Sequence, residues 1–289
     1  MTTTTDIIDF RTETDDGATL HGFREGHGRP LLLVSGLSGT AGFWADIAAT
    51  LGRSFQIIRF DQRGIGGSSR GAAPCDIERL ARDGLDVLDA AGLDRAVVLG
   101  HSTGGCIAQA MAKLAPGRLD GLILSGSWLK ACRYMTALFG ARRAILGCDP
   151  QAFAALSILS AYQPRWIEAN WHIYDDAIEA APTSEQAQTV MRERIDALLG
   201  FDGTAEIEAL PMPTMVMGAR DDMVVPVYHQ EALIAALPGA RRSIMETGGH
   251  LFPVSRPDIF TPPRAERIGD VVQRANQRVA VCPSGAGAA

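Results

Sequence analysis

Three places in this 289-residue chain carry side chains that together could perform acyl transfer. The first is Gly100-His101-Ser102-Thr103-Gly104, a serine with a glycine two positions away on either side. The second is the pair Asp221-Asp222, and the third is His250 at the end of Glu246-Thr247-Gly248-Gly249-His250. A serine hydroxyl is a poor nucleophile at neutral pH. It becomes effective when an imidazole takes its proton and a carboxylate holds that imidazole in the right tautomer. Charge then accumulates on the substrate's carbonyl oxygen and must meet N–H donors. The loop Ser35-Gly36-Leu37-Ser38-Gly39 is the candidate source. The N–H of Leu37, with that of Thr103 directly after the serine, is the expected pair.

The remaining candidates are weaker. Of six histidines, His21 falls in an early hairpin, His27 in a glycine-rich turn, His172 in a helical region and His229 at a helix start. His101 is adjacent to Ser102, so its ring should point away from the hydroxyl. His250 alone follows a strand-like stretch through a double-glycine turn. One of Asp221 and Asp222 should accept the Nδ1–H of His250, leaving the other as a loop or helix-capping residue. Arg63-Gly64-Ile65-Gly66-Gly67 lacks the glycine spacing of a dinucleotide fingerprint and reads as a turn.

The elements that must position these groups are legible as short apolar runs. Residues 31–34, 55–60, 96–99, 121–124 and 214–217 are each apolar on both faces, as buried parallel strands are. Helix-period segments at 41–51, 77–91, 103–114 and 228–237 lie between them, and the alternation predicts a parallel sheet with right-handed crossovers. Residues 7–10 and 20–23 flank Asp15-Asp16-Gly17 and predict an antiparallel hairpin. Ser102 then sits where a strand turns into a helix. In that setting a strained turn projects a nucleophile, and flanking glycines remove colliding side chains. Between about 127 and 206 the strands stop and helical patterns at 128–146, 150–160, 164–180 and 184–200 take over. We expect a helical cap here, over a core formed by 1–126 and 207–289. The first five residues and the tail PSGAGAA read as disordered.

Composition narrows the function. The chain is 46% hydrophobic and 21% charged, with a net charge of −6 and a pI near 5.5. That balance argues against nucleic acid and anionic membranes as partners. No secretory signal is expected, since the first residues lack a basic segment followed by an apolar run, and no apolar run is long enough to span a bilayer. Five cysteines (75, 106, 132, 148 and 282) without a CxxC pair suggest reduced thiols in the cytoplasm. No metal or cofactor is expected, and the protein should be a monomer or homodimer.

Five landmarks, residues 35–44, 60–69, 100–105, 221–226 and 248–250, resemble the α/β-hydrolase superfamily. Chain order agrees: serine, then acid, then histidine. Within the superfamily the chain resembles 3-oxoadipate enol-lactonases and, more closely, RutD-type aminoacrylate or carbamate hydrolases. The closer likeness rests on SGLSG, DQRG, LSGSWL and ARDDMVVP. The resemblance implies an α/β-hydrolase fold: a mostly parallel eight-stranded sheet flanked by helices, with the cap inserted after strand 6. It places the acid at Asp222, although counting three residues on from Gly218 gives Asp221. It also implies a small amide, carbamate, ester or enol-lactone substrate in a catabolic pathway. A C–C bond hydrolase using the same triad is the alternative enzyme, and a non-catalytic hydrolase-like binding protein the alternative outside enzymes. Related substrates are small acids, so the expected binding residues are Ser38, Trp128 and Trp166, with Trp171 nearby and Lys130 or Arg133 for a carboxylate.

Overall fold

The apolar runs form one eight-stranded sheet, in a computed structural model that describes residues 6–205 and 207–260. The strands are β1 (Ile8–Glu13), β2 (Thr19–Gly26), β3 (Arg29–Val34), β4 (Phe55–Asp61), β5 (Ala96–His101), β6 (Leu119–Ser125), β7 (Thr214–Ala219) and β8 (Arg241–Met245). Their order is β1-β2-β4-β3-β5-β6-β7-β8. The β1/β2 hairpin joins antiparallel and every later pairing is parallel. The expected fold class is the one observed. The expected disordered ends and Cys282 lie outside the described residues.

Alternation along the strands divides the interior into two layers. Leu32 and Val34 of β3 and Val98 of β5 face a core shared with α2 (Ile77–Ala90) and α3 (Thr103–Leu114). Leu31, Leu33, Val97 and Leu99 face the opposite core, against α1 (Ala45–Leu51). That period of two, with both faces covered, explains why these strands read as continuous apolar runs. α1 leads from β3 to β4, whereas α2 crosses back to β5 on the other side of β3. The crossovers therefore diverge between β3 and β5. At such a switch point the strands' C-terminal ends leave a crevice.

Between β6 and β7 the described residues form five α-helices, α4 (Arg133–Cys148), α5 (Pro150–Ala161), α6 (Pro164–Ala169), α7 (His172–Glu179) and α8 (Glu185–Gly200), and a 3-10 turn at Ile207–Ala209. After β7 come α9 (Tyr228–Ala236), β8 and the short α10 (Phe252–Ser255). Two boundaries differ from the sequence reading. The segment expected to be helical from 128 begins only at Arg133, because residues before it run extended. Lys130 bridges to Asp202, and the carbonyl of Leu129 accepts the N–H of Gly203 at 2.7 Å. The pattern at 164–180 splits at Asn170, whose side chain donates to the Trp166 carbonyl at 2.8 Å and leaves the helical backbone region.

A second set of ties stiffens the core away from the crevice. The guanidinium of Arg63, fully buried, donates to both oxygens of buried Asp83 at 2.6 Å and also to Asp16. Asp61 accepts the N–H groups of Ala41 at 2.8 Å and Gly67 at 2.9 Å. The Asp-Gln-Arg-Gly stretch is thus largely a structural clamp, with Gln62 its exception.

Candidate active site

Ser102 ends β5 and caps α3 at φ 56° and ψ −124°. It is the one non-glycine residue with positive φ among the described residues. Such a conformation costs on the order of 1–3 kcal/mol and persists only when its surroundings enforce it. The glycines are part of that enforcement. A Cβ on Gly100 would lie 2.1 Å from the Gly104 carbonyl oxygen, and one on Gly104 would lie 2.1 Å from that of Val34. Both obstacles are backbone, so neither can yield. The turn brings Ser102 against Gly36, whose added Cβ would sit 3.1 Å from the serine's own Cβ.

The imidazole arrives from the other end of the chain. His250 Nε2 lies 2.9 Å from Ser102 Oγ, and its Nδ1 lies 2.7 Å from Asp222 Oδ2. A carboxylate can only accept, so Nδ1 carries the proton and Nε2 is left as the acceptor for the hydroxyl. Asp222 is itself fixed, since its Oδ1 accepts the N–H groups of Val224 and Val225, both at 2.8 Å.

Asp221 has a different task. Its Oδ1 accepts the N–H of Gly249 at 3.0 Å, and its Oδ2 accepts that of Gly248 at 3.2 Å and the side chain of Gln163. It holds the double-glycine turn, where Gly249 has φ 67°, rather than capping a helix. From α5 the carbonyl of Ala161 accepts the N–H groups of His250 at 2.8 Å and Leu251 at 3.1 Å. His101 turns away from the hydroxyl: its Nδ1 meets Ser125 Oγ at 3.0 Å and its ring stacks on Phe43. Burial holds its pKa well below the usual histidine range, so it stays neutral beside His250, 5.1 Å away ring to ring.

The loop after β3 is held from outside the sheet by Arg194 on α8. Its Nε donates to the Leu37 carbonyl at 2.8 Å and its Nη2 to the Gly36 carbonyl at 3.2 Å and to Gln62 Oε1. Gln62 donates in turn to the Ser35 carbonyl at 2.8 Å. In a trans peptide the C=O and the following N–H point in opposite directions. Anchoring the Gly36 carbonyl on Arg194 therefore directs the Leu37 N–H away from that arginine. The Thr103 N–H is the first of α3, among those a helix leaves without an internal partner.

Above Ser102 lies a cavity of about 490 Å³. Leu37, Ser38, Phe43 and Val224 line it from the core, and Phe139, Arg142, Ser157, Tyr162 and Ile173 from the insertion.

Comparison with known proteins places the fold. Residues 29–156 match the α/β hydrolase fold. A protein of Azorhizobium caulinodans that carries the name carbamate hydrolase RutD is 34% identical over 249 residues, covering 86% of this chain and 94% of the relative. The chain belongs to the α/β-hydrolase family. Among solved α/β-hydrolase structures, a hydrolase from Pseudomonas aeruginosa PA01 has a TM-score of 0.77 at 25% identity, covering 93% of this chain and 98% of that one. The enol-lactonase from Burkholderia xenovorans LB400 has a TM-score of 0.81 at 20% identity, covering 91% and 100%.

In this α/β-hydrolase most of the expected binding residues stand elsewhere. Ser38 does line the cavity. Trp128 is fully buried in the main core and does not reach it. Lys130 is at the surface, paired with Asp202 at 2.7 Å, and Arg133 is exposed at the start of α4. Trp166 stacks behind Tyr162 at 4.6 Å, so the tyrosine, not the tryptophan, meets the cavity. Trp171 is 43% exposed and stacks on Tyr174. Long side chains near a helix start find partners according to tertiary packing, which the local pattern does not specify. The residues that sequence reasoning missed are Arg142 and Arg194. A signal existed: each arginine occupies an apolar register of its helix. Arg142 falls in the buried series Met135, Phe139, Leu146, and Arg194 between Val190 and Leu198.

Proposed function

We propose that the protein is a serine hydrolase acting on a small amide, carbamate, ester or enol-lactone. The observation that carries this reading is the relay from Asp222 through His250 to Ser102 Oγ, at 2.7 and 2.9 Å, on the floor of a cavity sized for a small molecule. Ser102 attacks the carbonyl carbon while His250 Nε2 takes the hydroxyl proton, and Asp222 stabilises the imidazolium that results. The N–H groups of Leu37 and Thr103 receive the oxyanion. His250 returns the proton to the leaving group, and water activated by the same imidazole releases the acid from the acyl-enzyme. The carbamate-hydrolase name of the relatives and the enol-lactonase among the similar structures support the substrate range. We place the enzyme in the cytoplasm as a monomer or homodimer, a setting that suits free thiols at Cys75, Cys106, Cys132 and Cys148.

A fluorophosphonate probe tests the nucleophile. Wild-type protein should be labelled on the peptide containing Ser102, and Ser102→Ala should neither label nor turn over. The variant should lose about four orders of magnitude or more in kcat while its Tm holds. Retention of a tenth of the wild-type rate by Ser102→Ala would remove serine from the mechanism.

A further inference from the structure

One charged group in the cavity is unaccounted for by this chemistry. Arg142 is 6% exposed on α4 and lines the same space as Ser102 and His250. Its Nη2 donates to Ser157 Oγ at 2.6 Å, and that hydroxyl donates onward to the Phe153 carbonyl. Its Nε is buried with no hydrogen-bond partner, and no carboxylate pairs with the guanidinium among the described residues. The guanidinium lies 4.9 Å from the ring of Phe139 and 5.2 Å from that of Phe153. The other charged residue lining the cavity from the insertion, Asp176 on α7, is exposed and makes no ion pair with it.

A buried cation without a counter-ion is costly, because desolvation of a charge runs to several kcal/mol. Two aromatic faces offset only part of that, and they satisfy no N–H donor. Burial lowers the guanidinium pKa to about 10, which still leaves it protonated at neutral pH. The rings also hold the guanidinium plane in place, so its donor edge is preorganised. A fixed fork of donors of this kind matches a carboxylate in two-point fashion.

We propose that Arg142 is a carboxylate-binding subsite, and that the substrate is a small acyl compound bearing a free carboxylate distal to the bond cleaved at Ser102. This deepens the serine hydrolase reading and rests on it. Bound substrate would supply the missing counter-ion. Its acyl carbonyl would meanwhile reach Ser102, which lines the same cavity. Neutral esters of the same size would bring no counter-ion.

The test compares phenyl monoesters of malonate, succinate and glutarate with the corresponding phenyl methyl diesters, correcting for spontaneous hydrolysis. At least one monoester should exceed its neutral counterpart in kcat/KM by about tenfold or more, as a charge-assisted contact implies. Arg142→Met should lower kcat/KM for the monoester about ten- to hundredfold more than for the diester. Arg142→Lys should recover part of the difference. The neutral fluorophosphonate should still label Ser102 in Arg142→Met. The Tm of Arg142→Met should match or exceed that of wild type, since an uncompensated buried charge has been removed. Labelling of Ser102 with equal turnover of acid and diester would overturn the carboxylate subsite and spare the hydrolase. A fall in Tm with both substrates losing rate in proportion would make Arg142 a structural residue only. Failure of wild type to label would instead remove the serine mechanism on which the subsite rests.

Discussion

Exchanging either member of the Asp221-Asp222 pair for asparagine should separate catalysis from stability. The change is isosteric, so packing is retained and the outcome turns on hydrogen bonds. At position 222 the amide oxygen can still accept from Val224 and Val225 N–H, the bonds made at 2.8 Å by Oδ1. The amide nitrogen then faces His250 Nδ1 at the 2.7 Å contact and can only donate to it. His250 must shift its proton to Nε2, where it points at Ser102 Oγ and cannot accept. A wrong-tautomer histidine of this kind costs about 10⁴ in kcat, close to 5.5 kcal/mol at 1.36 kcal/mol per decade. Tm should move little. At position 221 both oxygens accept backbone N–H groups, from Gly248 and Gly249, and one of these bonds must be lost. A buried donor left without a partner costs about 1–3 kcal/mol, so Asp221→Asn should lower Tm by several degrees and kcat by about tenfold or less. Steady-state kinetics on an activated ester, with thermal melts on the same preparations, read both quantities. If Asp221→Asn is the slower enzyme, or Asp222→Asn keeps a few per cent of wild-type kcat, the assignment of the acid is wrong.

Two further outcomes follow from the buried arginines. Arg194→Met releases the carbonyls of Gly36 and Leu37 and should reduce kcat about ten- to hundredfold with KM nearly unchanged, bounded by the 10²–10³ that one oxyanion donor is worth; an effect confined to KM would show that Arg194 acts on substrate binding. Asp83→Ala takes one of its two carboxylate partners from the fully buried Arg63, leaving Asp16 as the other, and should cost about 2–3 kcal/mol, a Tm drop of roughly 4–12 °C, with kcat intact at low temperature; a drop under about 2 °C in differential scanning calorimetry would mean the pair is dispensable.

The parts of this molecule legible in sequence are those fixed by local rules. Strands buried on both faces must be short and apolar, and the serine's turn must be flanked by residues without side chains, since Gly100 and Gly104 each face backbone at 2.1 Å. Asp221 and Asp222 were not separable on residue type alone. They are adjacent carboxylates, and which one faces His250 depends on how residues 248–250 return over the loop. The insertion was least legible. Its helices were visible, but Trp128 and Trp166 went to the core and behind Tyr162, and the one buried cation lining the cavity was an arginine set in an apolar stripe. A helical arginine read by composition alone looks like a solvated one; read by register, Arg142 and Arg194 stand out.

The insertion is joined to the sheet beside the proposed reaction centre. Ala161 at the end of α5 receives the N–H groups of His250 and Leu251, and Arg194 on α8 holds the loop after β3. Transplanting residues 127–206 wholesale from a relative would therefore carry away two supports of the reaction centre together with the substrate walls. New specificities should arise by single changes on α4 and α7, whose cavity-facing residues make no hydrogen bond to Ser102, His250 or the loop after β3 among the described residues. Over evolutionary time α5 and α8 should drift slowly for the core's sake and α4 and α7 quickly for the ligand's, so one continuous insertion would record two different histories of selection.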